Sequence, residues 1–381
     1  MIKAAKRLDT VQEYYFSIKL REVRSLLAAG KPIINMGIGS PDLQPPVKVL
    51  EAISNSLGDA NAHKYQSYQG LPELRNAIAS FYKSKYSVDA NPENEILPLM
   101  GSKEGIMHIS MAFLNEGDKV LIPNPGYPTY TSVTKLVGAE PLFYHLSDEH
   151  YWQPNYTKLE KLDLSDVKIM WVNYPHMPTG TNANLETFEK LIAFGKKHNI
   201  LIINDNPYSF ILNDNPISIL QVDGAKEVAL ELNSLSKTFN MAGWRVGMLL
   251  GNATYINEVL KVKSNMDSGM FYGIQKGAIE ALQLSNDWFT TQNKIYEERR
   301  NLVWQLADKL NCTYDKNATG LFVWAKIPEG KKSEEVTDAI LYNKDIFITP
   351  GTVFGSQGEG YIRFSLCVTS EIIKEAISRF E

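Results

Sequence analysis

The sequence predicts an α/β protein built on a mostly parallel sheet, and three observations predict it. Short apolar runs of strand length recur at residues 167–172, 200–203 and 228–232. Runs without polar alternation belong to strands covered on both faces. Segments with apolar residues at helical spacing lie between such runs, residues 185–198 being the clearest, which is the pattern of strands joined by crossover helices. Residues with chemistry to offer, Asp205 and Lys237 above all, stand shortly after those runs. Open α/β sheets hold their ligands at such strand ends.

Composition narrows the function. The chain has 381 residues, 44% hydrophobic and 22% charged. That is ordinary globular composition, long enough for a large core and two domains. A net charge of -4 argues against a nucleic-acid partner. Cys312 and Cys367 have no metal-like spacing and read as buried, reduced thiols, so no metal is expected. Lys3, Lys6 and Arg7 are not followed by an apolar core, so they do not make a signal peptide. No run approaches the length of a membrane span. The expectation is a cytoplasmic enzyme with no membrane partner.

Taken in order, residues 17–29 carry helical spacing and Gly30 stops them. Ile33-Ile34-Asn35-Met36-Gly37-Ile38-Gly39-Ser40-Pro41-Asp42 is an extended piece ending in glycines, and alone it reads as a turn. Tyr65 precedes Gly70, and then Pro72 and Glu73 start a helix; proline suits the first helical position and an acid suits the first turn. Residues 96–100 lead into Gly101-Ser102-Lys103-Glu104-Gly105 and an apolar helix. A small-residue turn there collects free backbone N–H groups and the positive end of a helix dipole, which is an anion site. Ser102 and the amides of Lys103 and Glu104 are its candidates.

Residues 119–123 form a strand, after which Tyr127 sits between Pro125 and Pro128. A stiff ring suits offset stacking on an aromatic ligand. Residues 137–146 give another strand, and His145 and His150 have no partner motif. Residues 167–172 end in Asn173-Tyr174-Pro175-His176-Met177-Pro178-Thr179-Gly180. Asp205, at the end of an apolar run, needs a partner. A turn it caps or a protonated ring nitrogen would serve, and Tyr208 follows three residues later.

The densest stretch is Ser234-Leu235-Ser236-Lys237-Thr238-Phe239-Asn240-Met241-Ala242-Gly243-Trp244-Arg245. Ser234, Ser236 and Arg245 offer short donors and a planar fork, which suit a phosphate. Lys237 lies among them with apolar neighbours. Desolvation and a nearby arginine disfavour its charged form and improve it as an amine nucleophile. Alone, Ser-x-Ser-Lys also fits a solvated lysine after a strand. Beyond it come a helix at residues 288–310 and strands at 321–324, 346–348 and 361–365, the last carrying Arg363.

In this order, from about residue 35 to about residue 365, these motifs resemble the class I/II aminotransferases, the fold-type I enzymes of pyridoxal 5′-phosphate (PLP). The resemblance implies a large domain at 45–275 with a mostly parallel sheet of the seven-stranded type. It implies a smaller α+β domain combining 1–44 with 276–381. It gives Lys237 the covalent hold on PLP. Ser102, Lys103, Glu104, Ser234, Ser236 and Arg245 take the phosphate, Tyr127 stacks on the ring, Asp205 meets the ring nitrogen and Tyr208 the phenolic oxygen. Gly39 and Arg363 take the substrate carboxylate. Tyr65, which from the residues alone could equally be packing, corresponds to a tyrosine that reaches a partner subunit's cofactor, so a homodimer with shared sites is implied.

The family usually has Asn before Pro-Thr-Gly, and this chain has Met177, a substrate-binding candidate whose flexible, polarizable chain suits packing against apolar side chains. Dicarboxylate-preferring members place an arginine a few residues before the segment at Ser268, where this chain has Ser264 and Asn265 with Lys261 and Lys263 nearby. The Gly-Ser-Lys-Glu-Gly turn is similar to that of alanine- and diaminopimelate-type members. The expected activity is therefore transfer of an amino group between an L-amino acid and a 2-oxo acid, with neutral or non-dicarboxylate donors. The alternative is a PLP-dependent carbon–sulfur β-lyase, which shares Lys237, Asp205 and Arg363. Lyase relatives typically continue His-Asn-Pro into an Arg-Val-Trp stretch, where this chain has Thr181-Asn182-Ala183. A PLP-sensing regulator needs a DNA-binding module, for which the short N-terminal segment leaves no room.

Overall fold

Residues 167–172 do form a strand, Val167–Val172, and it pairs in parallel on both sides. The computed structural model describes residues 2–381. Across its seven-stranded sheet the order is Ile96–Leu99, Gly247–Gly251, Ala229–Ser234, Leu201–Asp205, Val167–Val172, Lys119–Asn124 and Glu140–His145. Gly247–Gly251 is antiparallel to both neighbours, and the other strands share one direction. The fold is the α/β class that the sequence predicts.

Alternation along each strand divides the core in two, because successive side chains face opposite sides of a sheet. Ile169, Trp171, Ile203, Leu230 and Leu232 pack on one face. Met170, Val172, Ile202 and Ala229 pack on the other. Both faces are buried, which is why these strands read as apolar-rich runs.

The reversed strand decides which residues meet at one edge of the sheet. Gly247 stands opposite both Leu99 and Ser234. The amino end of this strand thus lies beside the carboxyl ends of its neighbours. Residues just before Gly247 are delivered to the same sheet edge as residues just after Leu99, Asp205 and Ser234.

The smaller sheet is antiparallel, in the order Thr349–Pro350, Tyr361–Ser365, Phe322–Lys326 and Thr313–Tyr314. Ile34–Asn35 pairs in parallel with Ile346–Phe347, which ties the N-terminal segment to the C-terminal part. We propose a division into 45–275 and 1–44 with 276–381; the strand pairings support it. Arg299 and Asp42 add a two-pronged ion pair at 2.7 and 2.8 Å, and Arg299 is buried. Only the arginine of this pair is buried; its two-pronged bond ties the turn after Gly39 to helix Asn286–Lys309.

Helix Leu185–His198 matches its pattern; Asn184 and Thr187 close a reciprocal cap at its start. Pro128 opens helix Pro128–Leu136, since its missing N–H is not needed at a first helical position. That helix delays the next strand to Glu140–His145. Helices Val47–Ser56, Ser333–Lys344 and Ser370–Ser378 escaped the sequence reading. No helix among the described residues is long and apolar enough to cross a membrane.

Candidate active site

The strand ends open into one cavity of about 590 Å³, within the roughly 300–1,000 Å³ typical of ligand sites. Its lining includes Gly39, Ser102, Lys103, Tyr127, Met177, Asp205, Tyr208, Ser234, Ser236, Lys237, Arg245 and Arg363. Two expected residues are not in it. Glu104 turns its carboxylate back to the Met100 N–H at 2.6 Å and to His108 at 3.2 Å, leaving only its backbone at the helix start. Tyr65 is 91% exposed.

Local geometry explains each placement. Ser234 ends its strand and accepts from the Ser236 N–H at 3.1 Å, capping the short helix Leu235–Thr238 that carries Lys237. Helix Ser102–Phe113 starts beside it. Gly101 there has φ +86°, and a Cβ would lie 2.1 Å from the Arg245 guanidinium. Only glycine lets that guanidinium approach the helix start. Ser102, Ser234, Ser236 and Arg245 thereby line one end of the cavity.

Three groups in the cavity lack a full set of partners. Asp205 accepts from the Tyr130 O–H at 2.9 Å through Oδ2, while Oδ1 has no partner among the described residues. Burial pushes its carboxyl up to about 7. Arg363 is 4% exposed. It donates to the Gly37 carbonyl at 2.8 Å and approaches the Met177 sulfur at 3.3 Å. Its Nε has no partner among the described residues. The rings of Phe322, Phe354 and Phe16 surround the guanidinium at 3.9, 4.6 and 5.5 Å. Burial pushes its pKa down to about 10. Lys237 donates to the Gly39 carbonyl at 2.5 Å. Its pKa is lowered, by burial first and then by the charges of Arg363 and Arg245.

Each orphan fits part of PLP and its substrate. A pyridinium N–H would satisfy Asp205 Oδ1, and its charge would return that carboxyl to the ionised form. A phosphate suits the Ser102, Ser234, Ser236 and Arg245 end. A carboxylate suits the Arg363 fork. Met177 brings a thioether where a hydrogen-bond donor would otherwise stand. Its neighbours keep donor capacity: Asn173 lines the same cavity with one N–H of its amide uncommitted, and His176 Nε2 has no partner among the described residues. Asn173 is bonded to the Asp205 carbonyl and the Met177 N–H, and His176 faces Thr179 at 2.8 Å. Burial pushes His176 down to about 3.

Several lining residues escaped the sequence reading: Tyr14, Phe16, Ser17, Leu20, Ile38, Asn173, Phe322 and Phe354. Tyr130, which holds Asp205, escaped too. Ser17 and Leu20 lie on helix Tyr15–Ala28, whose aromatic start was the one available signal.

A lysine facing a buried arginine across the carboxyl edge of a mostly parallel sheet defines a fold-type I transferase. The particular family follows from comparison: the chain belongs to the class I and II aminotransferases, whose family model matches residues 31–380. It is 39% identical to an LL-diaminopimelate aminotransferase of Dehalococcoides mccartyi, over 99% of this chain and 98% of that one. It is 40% identical to another of that name from Maridesulfovibrio salexigens, with the same coverage. Among solved structures it resembles substrate-bound BacF from Bacillus subtilis, at 35% identity, TM-score 0.94, and coverage of 100% of this chain and 97% of that one. The chain is an aminotransferase, and its family is PLP-dependent.

The state of Asp205 gives a stability test. Its folded pKa is raised from 3.8 to about 7. Between those values the folded apoprotein keeps a proton that the unfolded chain has lost. Its stabilising contribution is full below about pH 4 and is lost as pH rises through about 7. We expect the unfolding free energy of the apoprotein, relative to Asp205→Asn, to fall by up to about 4 kcal/mol over that interval. Urea denaturation of both proteins across the range checks this, and parallel pH dependence in the two would contradict it.

Proposed function

We propose that the chain holds PLP through Lys237 and, as a cytoplasmic homodimer, moves an amino group between an L-amino acid and a 2-oxo acid. The observation that carries this reading is Arg363, a buried guanidinium without a counter-ion among the described residues, in one cavity with Lys237, whose pKa burial lowers. Arg363 anchors the substrate α-carboxylate, assisted by the backbone of Gly39. Tyr127 packs against the cofactor ring and Tyr208 donates to its phenolic oxygen. Ser102, Ser234, Ser236, Arg245 and the amides of Lys103 and Glu104 hold the phosphate. Bound there, the cofactor supplies an electron sink for the pair released at the substrate Cα. Lys237, free once the substrate's amino group has displaced it, takes the Cα proton and delivers it one position along. One site serves both substrates in turn, so the kinetics are ping-pong.

The same Lys237, Asp205 and Arg363 would serve a carbon–sulfur β-lyase. The relatives at 38–40% identity over nearly the whole chain are named as aminotransferases, which favours transfer.

Two experiments test the reading. Loaded protein mixed with an amino donor alone should release one equivalent of 2-oxo acid per site and stop. Lys237→Ala should keep the fold and lose at least about 100-fold in this step. Continuous pyruvate release from cystathionine without an acceptor would instead show a lyase.

The dimer rests on Tyr65. It is exposed on a segment whose next residues pack against Gly269, where a Cβ would meet the Gln66 carbonyl at 2.4 Å. The two loops thus share one surface, the one that in the family faces the partner. Mixing dissociated Lys237→Ala and Tyr65→Phe subunits should give activity above either parent. No gain would remove Tyr65 from a shared site.

A further inference from the structure

We propose that the donor's side chain is apolar or aromatic, as in phenylalanine, methionine or leucine, and that Ile38, Leu20 and Phe16 receive it. This rests on the chain's being an aminotransferase that uses Lys237 and Arg363.

The placement comes from two hydrogen bonds. Arg363 donates to the Gly37 carbonyl at 2.8 Å and Lys237 donates to the Gly39 carbonyl at 2.5 Å. Ile38 lies between the group that anchors the carboxylate and the amine that acts at Cα. A substrate spanning those two groups therefore carries its Cβ past Ile38. Phe16 and Leu20 line the same cavity. They are four residues apart on helix Tyr15–Ala28, so they share a face. Tyr14, just before that helix, extends the wall.

The charges of the cavity agree. Among the described residues, Asp205 is the only carboxylate in the lining, and it faces the cofactor's end beside Tyr130. This chain's own lining thus offers no acid to a distal ammonium, such as that of lysine or LL-diaminopimelate. Of the cations, Lys237, Arg245 and Arg363 already have roles. The ammonium of Lys103 lies 4.7 Å from the centre of the Tyr14 ring, a cation–π contact. It is the one remaining cation of this chain's lining for a distal carboxylate. The apolar wall, rather than this single cation, sets the preference, because a buried methylene alone is worth about tenfold or more in discrimination.

The test is a donor panel on the loaded enzyme with one common 2-oxo acid acceptor. The best of phenylalanine, methionine and leucine should exceed LL-diaminopimelate, lysine and aspartate by at least about 100-fold in kcat/KM. Leu20→Glu should cut phenylalanine at least tenfold and raise the ratio of diaminopimelate to phenylalanine. Binding gives a second readout. The unreactive 3-phenylpropanoate should perturb the cofactor's absorbance at lower concentration than glutarate does. LL-diaminopimelate or aspartate leading the panel would overturn the proposal while leaving the aminotransferase reading intact. An enzyme that releases no 2-oxo acid from any donor would overturn both.

Discussion

Arg363 sits in the middle of the small sheet, opposite Thr349 and Trp324, with three aromatic rings around its guanidinium and no carboxylate beside it. Taking a cation out of water is costly unless it is paired. Here the rings and one carbonyl compensate only in part, and the remainder is the attraction for an incoming anion. The surrounding structure is arranged to hold that cation in place. Thr349 bonds the same Gly37 carbonyl at 2.9 Å. The Arg299–Asp42 pair fixes the turn that follows. The N-terminal segment therefore cannot shift without disturbing both Arg363 and the Gly39 carbonyl that holds Lys237.

The second half of the site depends on strand direction. Parallel strands bring Asp205 and the Ser234–Lys237 segment to one edge of the sheet. The single reversed strand brings Arg245 to that edge from the opposite chain direction. Arg363 and Lys237, the proposed carboxylate anchor and proton carrier, come from different sheets. Their meeting is a property of the packing between those sheets, carried by the loop at residues 37–42.

What was legible in the sequence was what is local. Asp205 follows an apolar run, Ser102 opens a helix after one, and Lys237 stands within a set of short donors. In each case a strand end and its chemistry occupy adjacent positions. The inner parallel strands of the large sheet were legible for the same reason, since burial on both faces leaves little polar alternation. Tyr14, Phe16 and Leu20 were not. They reach the cavity through long-range contacts, such as the pairing of Ile34–Asn35 with a strand more than three hundred residues later and the Lys19–Asp338 bond, which no local pattern encodes. Tyr130 was not legible because the helix Pro128–Leu136 that aims it at Asp205 has little apolar periodicity to announce it. Arg363 looked ordinary on its strand. Its importance lies in its burial and in the absence of an acid near it, which the family resemblance supplied and periodicity could not.

The central claim is that Arg363 and Lys237 act on one substrate from its two ends. A crystal structure of the loaded protein with an unreactive amino-acid analogue tests it most directly. The account predicts both carboxylate oxygens within hydrogen-bond distance of the Arg363 guanidinium, with the analogue's Cα beside Lys237 Nζ and its side chain over Ile38. A carboxylate bound at Lys103, or one leaving the Arg363 guanidinium with no anionic partner, would contradict it.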